Sequence, residues 1–593
     1  MPTSFRSATP LPRRRAVLTI ALALCVVGCA TDDHRGSGVA TTTAPSVPSS
    51  VTSVAPPTTQ LGPPPVTDPM SAPLPAPVAG PPLTDATSSF GLPSTKRYGR
   101  GVSVIDIDGD GWDDLVITDT DSRVRGRDFV GTRFFHNVKG RLRLWDLGVG
   151  TKSTFENGAA VFGDIDNDGQ PDLLLVAGNN TGRATMAFYM NRLRTEGRFV
   201  EATNEVGLTR EDGLWWSASW FDFDHDGFLD LVVTGSKSIV YRNDGAGHLV
   251  DETTQRGFGV WTNDPCERNP VVIDIDNDSW PDLFCSATSK AALFHNDHGT
   301  FTDVTATAFP TNLPNYWWSR AFAGAAADFN QDGFDDLYVG RWNFQDWIML
   351  NDGKGHFVRH DTDVGLIERT VAEDPGFDPR PQPDTTAPYW NLPPTDDQGR
   401  ENTMGLMVDD IDLDGFPDVV IGTGDPSTAS PDVFFCNQGG ETLRIARCGA
   451  DLVAVLGETR MHGIAVGDLD GDALPELVMS PGGFPPWDAN NGQDTREVAH
   501  VFKATGDNTN VVTLRLTTRG RAAIGARIKV PGARDHYATV RTVQGFQSQS
   551  SQTLSFRVDG PTGVEITWPD GSTSVEQVVP GDRKVVAQAP PAG

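Results

Sequence analysis

Short apolar runs separated by turn residues occur along most of the chain, and this pattern predicts short β-strands. Many of the apolar residues are β-branched, and Gly, Pro, Asp and Asn bound the runs, as expected for strands joined by tight turns. Apolar residues 102–105 and 115–117 flank the first of several acidic loops, and residues 159–162 and 173–175 flank the second. Each acidic loop is therefore predicted to form the tip of a β-hairpin.

The acidic loops follow one pattern, Asp-x-Asp/Asn-x-Asp-Gly/Ser/Ala-x-x-Asp/Glu. It occurs seven times, and successive copies, called loops 1 to 7 below, start 58, 58, 52, 54, 82 and 58 residues apart. Positions 1, 3, 5 and 9 of each copy are the candidate metal ligands. They are Asp106, Asp108, Asp110 and Asp114; Asp164, Asp166, Asp168 and Asp172; Asp222, Asp224, Asp226 and Asp230; Asp274, Asp276, Asp278 and Asp282; Asp328, Asn330, Asp332 and Asp336; Asp410, Asp412, Asp414 and Asp418; and Asp468, Asp470, Asp472 and Glu476.

Alternating carboxylates in a sharp turn suit calcium, and up to seven Ca²⁺ ions are expected. Ca²⁺ takes about six to eight oxygen ligands in a flexible shell, whereas Mg²⁺ prefers a rigid octahedron that is rich in water. Carboxylates at positions 1, 3 and 5 can surround one ion, and a carbonyl at position 7 and the carboxylate at position 9 would complete the shell. Glycine at position 6 permits the turn. A cation is also needed because clustered carboxylates repel each other.

Two other interpretations of the loops are weaker. A single acidic turn would be explained by solvation alone, but seven copies at similar spacing make that explanation remote. An EF-hand needs Glu at position 12, and all seven loops have another residue there: Ile117, Leu175, Val233, Cys285, Val339, Ile421 and Met479. Three copies depart from the pattern, because Ser279 and Ala473 replace glycine and Asn330 removes a charge. Weaker or empty sites are expected there.

The rest of each repeat predicts two more strands. A third run ends in Asn at residues 135–137, 241–243 and 294–296, and a fourth follows a Gly-rich turn, as at residues 249–253. Four strands per repeat of roughly 55 residues are typical of a β-propeller. The fourth-strand pattern also occurs at residues 83–87, ahead of loop 1, so the N-terminal strand is expected to complete the last blade and cover its edge.

The repeats resemble FG-GAP/VCBS repeats, the calcium-loop blades also found in integrin α-chain heads. The resemblance covers residues 83 to 503 approximately and implies an all-β fold, a seven-bladed β-propeller over residues 81–506. It also implies calcium in the first hairpin loop of each blade.

Residues 507–590 leave the repeat pattern and predict a small β domain. Strands are expected at 511–516, 526–530, 540–543 and 564–568, with a turn at 568–572. Residues 523–528, 545–551 and 564–571 resemble the ASPIC/UnbV domain. A propeller followed by ASPIC/UnbV resembles the cartilage acidic protein family and its bacterial relatives, which implies calcium binding and extracellular interaction and no known reaction.

The N-terminus is typical of an export signal. Arg13, Arg14 and Arg15 precede apolar residues 16–27, a run shorter than the about 20 residues of a membrane-spanning helix. The ending Val26-Val27-Gly28-Cys29 resembles the bacterial lipoprotein box. That resemblance implies a signal peptide over 1–28 and lipidation of Cys29. An ordinary signal peptide with an incidental cysteine is the alternative.

Residues 29–80 are rich in Pro, Ser and Thr and are predicted to be a disordered tether, since they cannot bury enough apolar surface to fold. No other stretch is apolar enough to span a membrane. The sequence therefore predicts an exported protein, anchored at the cell surface, that contacts a bacterial membrane only through its N-terminal lipid.

Four cysteines remain after export: Cys266, Cys285, Cys436 and Cys448. Outside the cytoplasm an even set predicts disulfides. Four cysteines allow three pairings, and we favour Cys266–Cys285 and Cys436–Cys448 because each pair is close in sequence. A Cys/His zinc site is the alternative, although the chain has no CxxC pair.

The net charge and the sequence motifs argue against several classes of function. Lys and Arg number 48 and Asp and Glu 78, for a formal net charge of −30, which argues against binding to nucleic acid. No nucleophile elbow, HExxH, Walker or dinucleotide motif is present. We expect a monomeric protein that is not an enzyme and recognises an extracellular protein or glycan. A polysaccharide hydrolase or lyase that uses the propeller face is the alternative, and a purely structural envelope protein is a third.

The recognition surface is expected on the face opposite the acidic loops, where each fourth strand leads to the next first strand. Loops on a rigid scaffold commonly carry recognition, and exposed Trp is a frequent hot-spot residue. The alternative for two of these tryptophans, Trp216 and Trp318, is packing between blades. An insertion at about 366–402 is also expected in a segment that joins a fourth strand to the next first strand. The candidate ligand-face residues are Trp215, Trp216, Trp317, Trp318 and Trp390.

Overall fold

The computed structural model describes the chain from residue 83 to residue 589 with several internal gaps. The described ranges are 83–119, 131–149, 158–176, 186–208, 215–259, 266–288, 290–309, 321–342, 346–360, 403–424, 429–439, 443–449, 455–482 and 496–589. The predicted signal peptide, tether and lipidation site at Cys29 lie outside these residues, as does the insertion at about 366–402.

Strands dominate the described residues. The helices with both ends described are short, α1 Leu193–Glu196 and α2 Thr305–Ala308, and residues 455–456 are also helical. The strands before residue 300 are β1 Leu83–Asp85, β2 Gly99–Ile105, β3 Asp114–Asp119, β4 Arg133–Asn137, β5 Leu142–Trp145, β6 Ala159–Gly163, β7 Asp172–Val176, β8 Met186–Arg192, β9 Arg198–Glu201, β10 Trp215–Phe221, β11 Asp230–Gly235, β12 Ile239–Asn243, β13 Leu249–Asp251, β14 Pro270–Ile273, β15 Asp282–Cys285 and β16 Ala292–Asp297.

The later strands complete the repeats and form the C-terminal module. They are β17 Thr300–Asp303, β18 Ala321–Ala327, β19 Asp336–Arg341, β20 Trp347–Asn351, β21 Phe357–Arg359, β22 Gly405–Asp409, β23 Asp418–Gly422, β24 Ser430–Pro431, β25 Val433–Asn437, β26 Ile445–Arg447, β27 Glu458–Thr459, β28 Met461–Gly467, β29 Glu476–Pro481, β30 His500–Ala504, β31 Val511–Thr518, β32 Arg521–Ala522, β33 Arg527–Val530, β34 His536–Thr539, β35 Thr553–Arg557, β36 Thr562–Thr567, β37 Thr573–Val578 and β38 Arg583–Ala587.

Seven four-stranded antiparallel sheets are formed by the described part of the repeat region. Six follow chain order, namely β2–β5, β6–β9, β10–β13, β14–β17, β18–β21 and β22-β23-β25-β26, and the last has the order β28-β29-β30-β1. The first strand of each sheet contacts the first strand of the next, and β28 contacts β2. The sheets therefore form a closed cycle, and the predicted all-β propeller fold is confirmed.

The N-terminal strand closes this cycle. β1 pairs with β30, with Leu83 opposite Ala504 and Asp85 opposite Phe502. The outer strand of the last sheet is thus supplied by the N-terminal end of the repeat region, as its sequence pattern predicts. This pairing covers an edge that would otherwise be open and joins the two ends of the repeat region.

The burial of each strand follows its place in the sheet. The first two strands, such as β6 and β7, are buried on both faces, which explains why their sequences are continuous apolar runs rather than alternating ones. The outer strand β9 has one fully buried residue, Phe199, and exposed ends. Apolar clusters between neighbouring sheets, such as that joining Phe188 to Trp220, form the core.

The C-terminal module contains two further four-stranded sheets. One has the order β32-β31-β35 with β38 added parallel to β31, and the other has the order β34-β33-β36-β37. Buried residues from both sheets, among them Leu514, Ile528 and Trp568, form one apolar cluster. The predicted strands at 511–516, 526–530 and 564–568 match β31, β33 and β36 closely.

The strand predicted at 540–543 is wrong. The nearby strand is β34, and residue 540 leads into a connection between β34 and β35. We call residues 541–551 of this connection the channel segment. Its side chains and backbone bond to the propeller instead of to a neighbouring strand of the module. Of the two valines that suggested a strand, Val540 packs in the core of the module and Val543 packs in a cluster of the propeller.

The channel segment lies among the first strands of the propeller sheets. Gly545 donates to the carbonyl of Gly324 at 3.0 Å, and the Ser548 hydroxyl accepts from the amides of Val102 at 3.4 Å and Ile464 at 3.2 Å. Phe546 packs in a cluster with Leu406. Further contacts reach β6, β10 and β14: Gln549 with Phe162, Gln547 with Trp216 and Arg541 with Val272.

This segment satisfies backbone groups that would otherwise be unpaired at the centre of the propeller. Gln549 forms a parallel bridge with Ser103, and the backbone of the segment comes so close that a Cβ on Gly101 would lie 2.1 Å from the Gln547 carbonyl oxygen. Glycine is therefore required at residue 101. Besides the chain link at residues 505–510, the C-terminal module is thus held to the propeller by the buried contacts of the channel segment.

Both favoured disulfides are present. Cys266 bonds to Cys285 at the end of β15, and Cys436 in β25 bonds to Cys448 just after β26, with Cα–Cα distances of 4.4 and 5.8 Å. Each disulfide joins a strand residue to a residue in a connection next to the same sheet. Among the described residues, no helix has the length and apolar character needed to cross a bilayer.

Candidate metal-binding loops

Each acidic loop connects the first and second strands of its sheet, as the hairpin prediction requires. Loop 1 lies between β2 and β3, and Ile105 pairs with Asp114 where the two strands meet the loop. In loops 1 to 7 the backbone at positions 4 and 6 is left-handed. This holds even for Ser279, with φ of 72°, and Ala473, with φ of 74°. The loop conformation is therefore retained where glycine is replaced.

A shared hydrogen bond fixes the position-1 carboxylate in all seven loops. The amide at position 6 donates to its Oδ2 atom at 2.8 to 3.1 Å, for example from Gly111 to Asp106 and from Gly415 to Asp410. The same bond is made by Ser279 to Asp274 and by Ala473 to Asp468. One oxygen of each position-1 carboxylate thus accepts from the position-6 amide. The other, Oδ1, also accepts from the position-5 amide in loops 1, 2, 5 and 6, and it has no hydrogen-bond partner in loops 3, 4 and 7.

Carboxylate oxygens converge in the loops. Positions 1, 3 and 9 of loops 1, 2 and 3 each offer one oxygen, and within each loop these oxygens lie within 4.8 Å of one another. Several are buried and have no hydrogen-bond partner: Asp166 Oδ1, Asp222 Oδ1, Asp224 Oδ1, Asp274 Oδ1, Asp276 Oδ1, Asp468 Oδ1, Asp470 Oδ1 and Glu476 Oε1. Buried oxygens without partners are costly unless a cation or donor satisfies them. The donor set, all oxygen, fits calcium.

The carboxylate at position 9 anchors the loop as well as contributing to the cluster. Asp230 is fully buried, and its Oδ2 accepts from the Phe223 amide at 3.0 Å while its Oδ1 accepts from the Asn243 amide at 2.8 Å. Equivalent bonds to a third-strand amide are made in loops 1 to 6. Position 9 therefore ties the loop to the third strand of its own sheet.

Burial raises the pKa of these carboxyls. At position 9, desolvation raises the pKa of Asp114 to about 8 and of Asp282 and Glu476 to about 9. At position 1 it raises the pKa of Asp164 to about 6 and of Asp274 to about 7. Neighbouring carboxylates add to the shifts. Without a cation the folded loops therefore favour protonated carboxyls, and a divalent ion would allow them to ionise.

The third-strand asparagine is a structural residue whose role the sequence analysis missed. Asn243 Nδ2 donates to the carbonyl of Ile165 in loop 2 at 2.8 Å, and Asn296 Nδ2 donates to the carbonyl of Phe223 in loop 3 at 2.9 Å. Each of six asparagines bonds in this way to position 2 of the loop in the preceding sheet. They are Asn137, Asn191, Asn243, Asn296, Asn351 and Asn437.

These bonds link the loops around the propeller. Asn137 reaches Leu469 of loop 7, so the series crosses the closure between the last sheet and the first. The sequence does show that Asn recurs near the end of the third strand. This recurrence alone does not show which carbonyl the asparagine side chain bonds. In the last sheet the third strand ends in Ala504, whose methyl side chain cannot make this bond.

The C-terminal module covers the loop side of the propeller. Arg515 contacts Asp106 of loop 1, Arg527 Nη2 lies 3.3 Å from Asp328 Oδ2 of loop 5, and His536 Nδ1 lies 3.0 Å from the Gly415 carbonyl oxygen of loop 6. These side chains reach outer carboxylate oxygens or backbone groups. The C-terminal module therefore contacts loops 1, 5 and 6 directly.

The assignment of Trp215 and Trp216 to an exposed ligand face is corrected by their burial. Both belong to β10 and are 2% and 7% exposed. Trp215 packs in the core between sheets, and Trp216 lies under the Arg268 guanidinium, 4.1 Å from its ring centroid, and beside Phe546. The packing alternative is therefore correct for Trp216. Trp317, Trp318 and Trp390 lie outside the described residues.

Comparison with known families identifies the class of the protein. Residues 106–175, 164–233 and 274–339 match the FG-GAP-like repeat family, and residues 516–592 match the ASPIC and UnbV family. The protein is an all-β FG-GAP-repeat protein with a C-terminal ASPIC/UnbV domain, which confirms the resemblance seen in its sequence.

Its curated relatives include cartilage acidic protein 1. The chain is 24% identical over 462 residues to the protein of Homo sapiens, and the match covers 72% of this chain and 62% of that protein. It is 24% identical over 452 residues to the protein of Xenopus tropicalis, with 71% and 62% covered. The match thus spans less than two thirds of the length of these relatives.

Solved structures with some similarity include a lectin and a matrix protein. A lectin of Agrocybe aegerita that recognises non-reducing terminal N-acetylglucosamine aligns with a TM-score of 0.36 at 15% identity, covering 63% of this chain and 87% of the lectin. The biofilm matrix protein Bap1 of V. cholerae aligns with a TM-score of 0.26 at 12% identity, with 85% of each chain covered.

Proposed function

We propose that the chain is a calcium-binding surface lipoprotein whose propeller recognises an extracellular protein or glycan. The observation that carries the calcium assignment is the set of buried inner oxygens in the loops that have no hydrogen-bond partner, such as Asp222 Oδ1 and Asp274 Oδ1. Positions 1, 3 and 5 would hold the ion, with position 9 behind them. Bound calcium would neutralise the carboxylates and hold the hairpin tips together.

The arrangement of the module supports recognition on the face opposite the loops. Arg515, Arg527 and His536 contact the loop side, and the channel segment fills the centre among the first strands. Fourth strands lead to the next first strands at the opposite ends of the sheets, and the predicted insertion at about 366–402 belongs by sequence to one of these connections, between β21 and β22. A filled centre leaves the outer face of the propeller as the surface for recognition, and the same face would serve the alternative, a polysaccharide hydrolase or lyase.

Calcium binding is tested by thermal unfolding of the purified chain with millimolar calcium and with chelator. Ions that bind only the native state stabilise it by mass action, by about 2.7 kcal/mol per site at a hundredfold excess over the dissociation constant. We expect a higher melting temperature in calcium. Equal melting temperatures in the two conditions would exclude calcium as a stabilising ligand.

Recognition is tested with the purified chain on panels of glycans and extracellular proteins. The matched variant lacks residues 370–398, which removes most of the insertion and leaves the seven loops intact. Selective binding by the full chain that this deletion abolishes, with calcium-dependent melting unchanged, is the expected result. Glycan cleavage products in the same assay would support the enzyme instead.

A further inference from the structure

Loops 3 and 6 have the same acidic residues at positions 1, 3, 5 and 9 and the same glycine at position 6. By sequence they are equal calcium sites. Their surroundings differ, because the residue that precedes the third-strand asparagine, or Ala504 in the last sheet, changes from loop to loop. That residue is His136, Met190, Arg242, His295, Leu350 and Cys436 in loops 1 to 6, and Lys503 in loop 7.

In loop 3 this residue is an arginine that bridges two of the carboxylates. Arg242 Nε lies 2.6 Å from Asp224 Oδ2, and its Nη2 lies 2.6 Å from Asp226 Oδ2. A second guanidinium adds to it, since Arg256 Nη2 lies 3.1 Å from the same Asp224 oxygen. Arg256 is held in place by Glu252 at 2.7 Å. A third guanidinium, that of Arg521, lies 3.9 Å from Asp222 Oδ2, so three cations face the carboxylates of loop 3.

Loop 6 has a neutral residue at the corresponding place. Cys436 is bonded to Cys448, and among the residues that the structure describes no Lys or Arg forms an ion pair with an acidic residue of loop 6. Loop 7 resembles loop 3, because Lys503 contacts both Asp470 and Asp472. The seven loops thus differ in the positive charge that the chain itself supplies.

We infer that Arg242 and Arg256 are built-in cations that weaken calcium binding at loop 3, so that the chain fills loop 6 before loop 3 as calcium rises. The inference rests on the calcium binding proposed above. The arginines occupy the outer oxygens, and the inner atoms Asp222 Oδ1 and Asp224 Oδ1 have no hydrogen-bond partner, so the ion and the arginines share the same carboxylates. Like charges at such short range repel, and the arginines already neutralise part of the loop without an ion.

The same reasoning ranks the loops differently from their sequence. The pattern alone singles out loops 4, 5 and 7, where Ser279, Asn330 and Ala473 depart from it. The structure adds loop 3 to the weak sites, although its pattern is complete. It also adds loop 2, where Arg192 lies 3.4 Å from Asp166 Oδ2 and 3.3 Å from Asp168 Oδ2. When calcium is limiting, the chain therefore binds fewer ions than the number of loops that match the full sequence pattern.

The test counts bound calcium by native mass spectrometry of the full purified chain, at a buffered free calcium that fills about half of the wild-type sites. The matched variants change position 5 of each loop, Asp226→Asn in loop 3 and Asp414→Asn in loop 6. We expect Asp414→Asn to lose one ion and Asp226→Asn to lose none. Equal losses in the two variants would overturn the inference.

Changing the cations provides the converse test. The double variant Arg242→Met and Arg256→Met is expected to gain one ion at the same free calcium, with affinity at loop 3 at least about tenfold higher. His136→Arg, which places a permanent cation at loop 1, whose pattern is complete, is expected to lose one ion and keeps the test decisive if the double variant misfolds. No change in either variant would overturn the inference. A wild-type chain that binds no calcium at any concentration would instead refute the proposed calcium binding itself.

Discussion

The Gln549 side chain bonds both backbone groups of Phe162, which lies in the first strand of the second sheet. Its Oε1 accepts from the Phe162 amide at 2.8 Å, and its Nε2 donates to the Phe162 carbonyl at 3.3 Å. A side chain of the C-terminal module thus acts as a neighbouring strand would at the centre of the propeller. Gln549 is fully buried, so neither backbone group can turn to water instead.

Replacing Gln549 with Ala is expected to destabilise the whole chain. The substitution leaves a buried amide and carbonyl without partners, at a cost of about 1–3 kcal/mol for each unsatisfied group. The measurement is the urea midpoint of the purified protein in calcium. Gln577→Ala on exposed strand β37 is the matched control and is expected to leave the midpoint unchanged. A Gln549 variant as stable as this control would show that the channel segment is not energetically coupled to the propeller.

The third-strand asparagines give a second prediction. Asn296→Ala removes the bond from Nδ2 to the Phe223 carbonyl and so breaks the link between two neighbouring sheets. We expect a loss of about 1–3 kcal/mol in the free energy of unfolding, since Asn296 is fully buried. Exposed Asn204→Ala is the control. Indistinguishable unfolding curves for the two variants would mean that the inter-sheet bonds contribute little.

The repeated features of the fold could be predicted from the sequence because each is local. The loop pattern indicated the hairpins, and the fourth-strand pattern at 83–87 indicated the closing strand β1. Both depend on short segments whose strand propensity and turn residues agree. The candidate ligand positions were found for the same reason, since alternating carboxylates lie next to each other in the chain.

Contacts between distant segments could not be predicted. Residues 540–543 look like a strand because nothing local shows that the channel segment contacts the first strands of the propeller sheets. Trp215 and Trp216 look like exposed anchors because their position before loop 3 does not show the packing of β10 between neighbouring sheets. The effect of Arg256 on loop 3 likewise depends on folding that brings segments distant in the chain together.

The proposed lipid anchor makes a third prediction. If Cys29 is lipidated, Cys29→Ser should shift the protein from the membrane fraction to the soluble fraction of the cells that export it. Cys25→Ser, within the predicted signal peptide, is the matched control and should remain with the membrane. Retention of the Cys29 variant on membranes after a high-salt wash would assign the attachment to another part of the chain.

The pKa shifts in the loops predict that the calcium-free protein loses stability as pH rises and that calcium stabilises it more over the same range. Folding raises the pKa of Asp114 to about 8 and of Asp282 and Glu476 to about 9, whereas unfolded carboxyls titrate near about 4. The folded chain then binds more protons than the unfolded chain between these values. Stability from these groups is fully present below about pH 4 and is lost as pH rises through about 8 to 9. Calcium requires the ionised carboxylates, so its contribution grows over the same range.

The measurement is the urea midpoint of calcium-stripped and calcium-loaded protein across this range. The midpoint of the stripped protein should fall as pH rises from about 5 to about 8, and the gap to the loaded protein should widen. Glu476→Gln keeps a neutral side chain of similar shape and removes one of the titrating groups, so the stripped variant should lose less stability over the same interval. A stripped protein that becomes more stable with rising pH would contradict the raised pKa values, because the unfolded chain would then bind the additional protons.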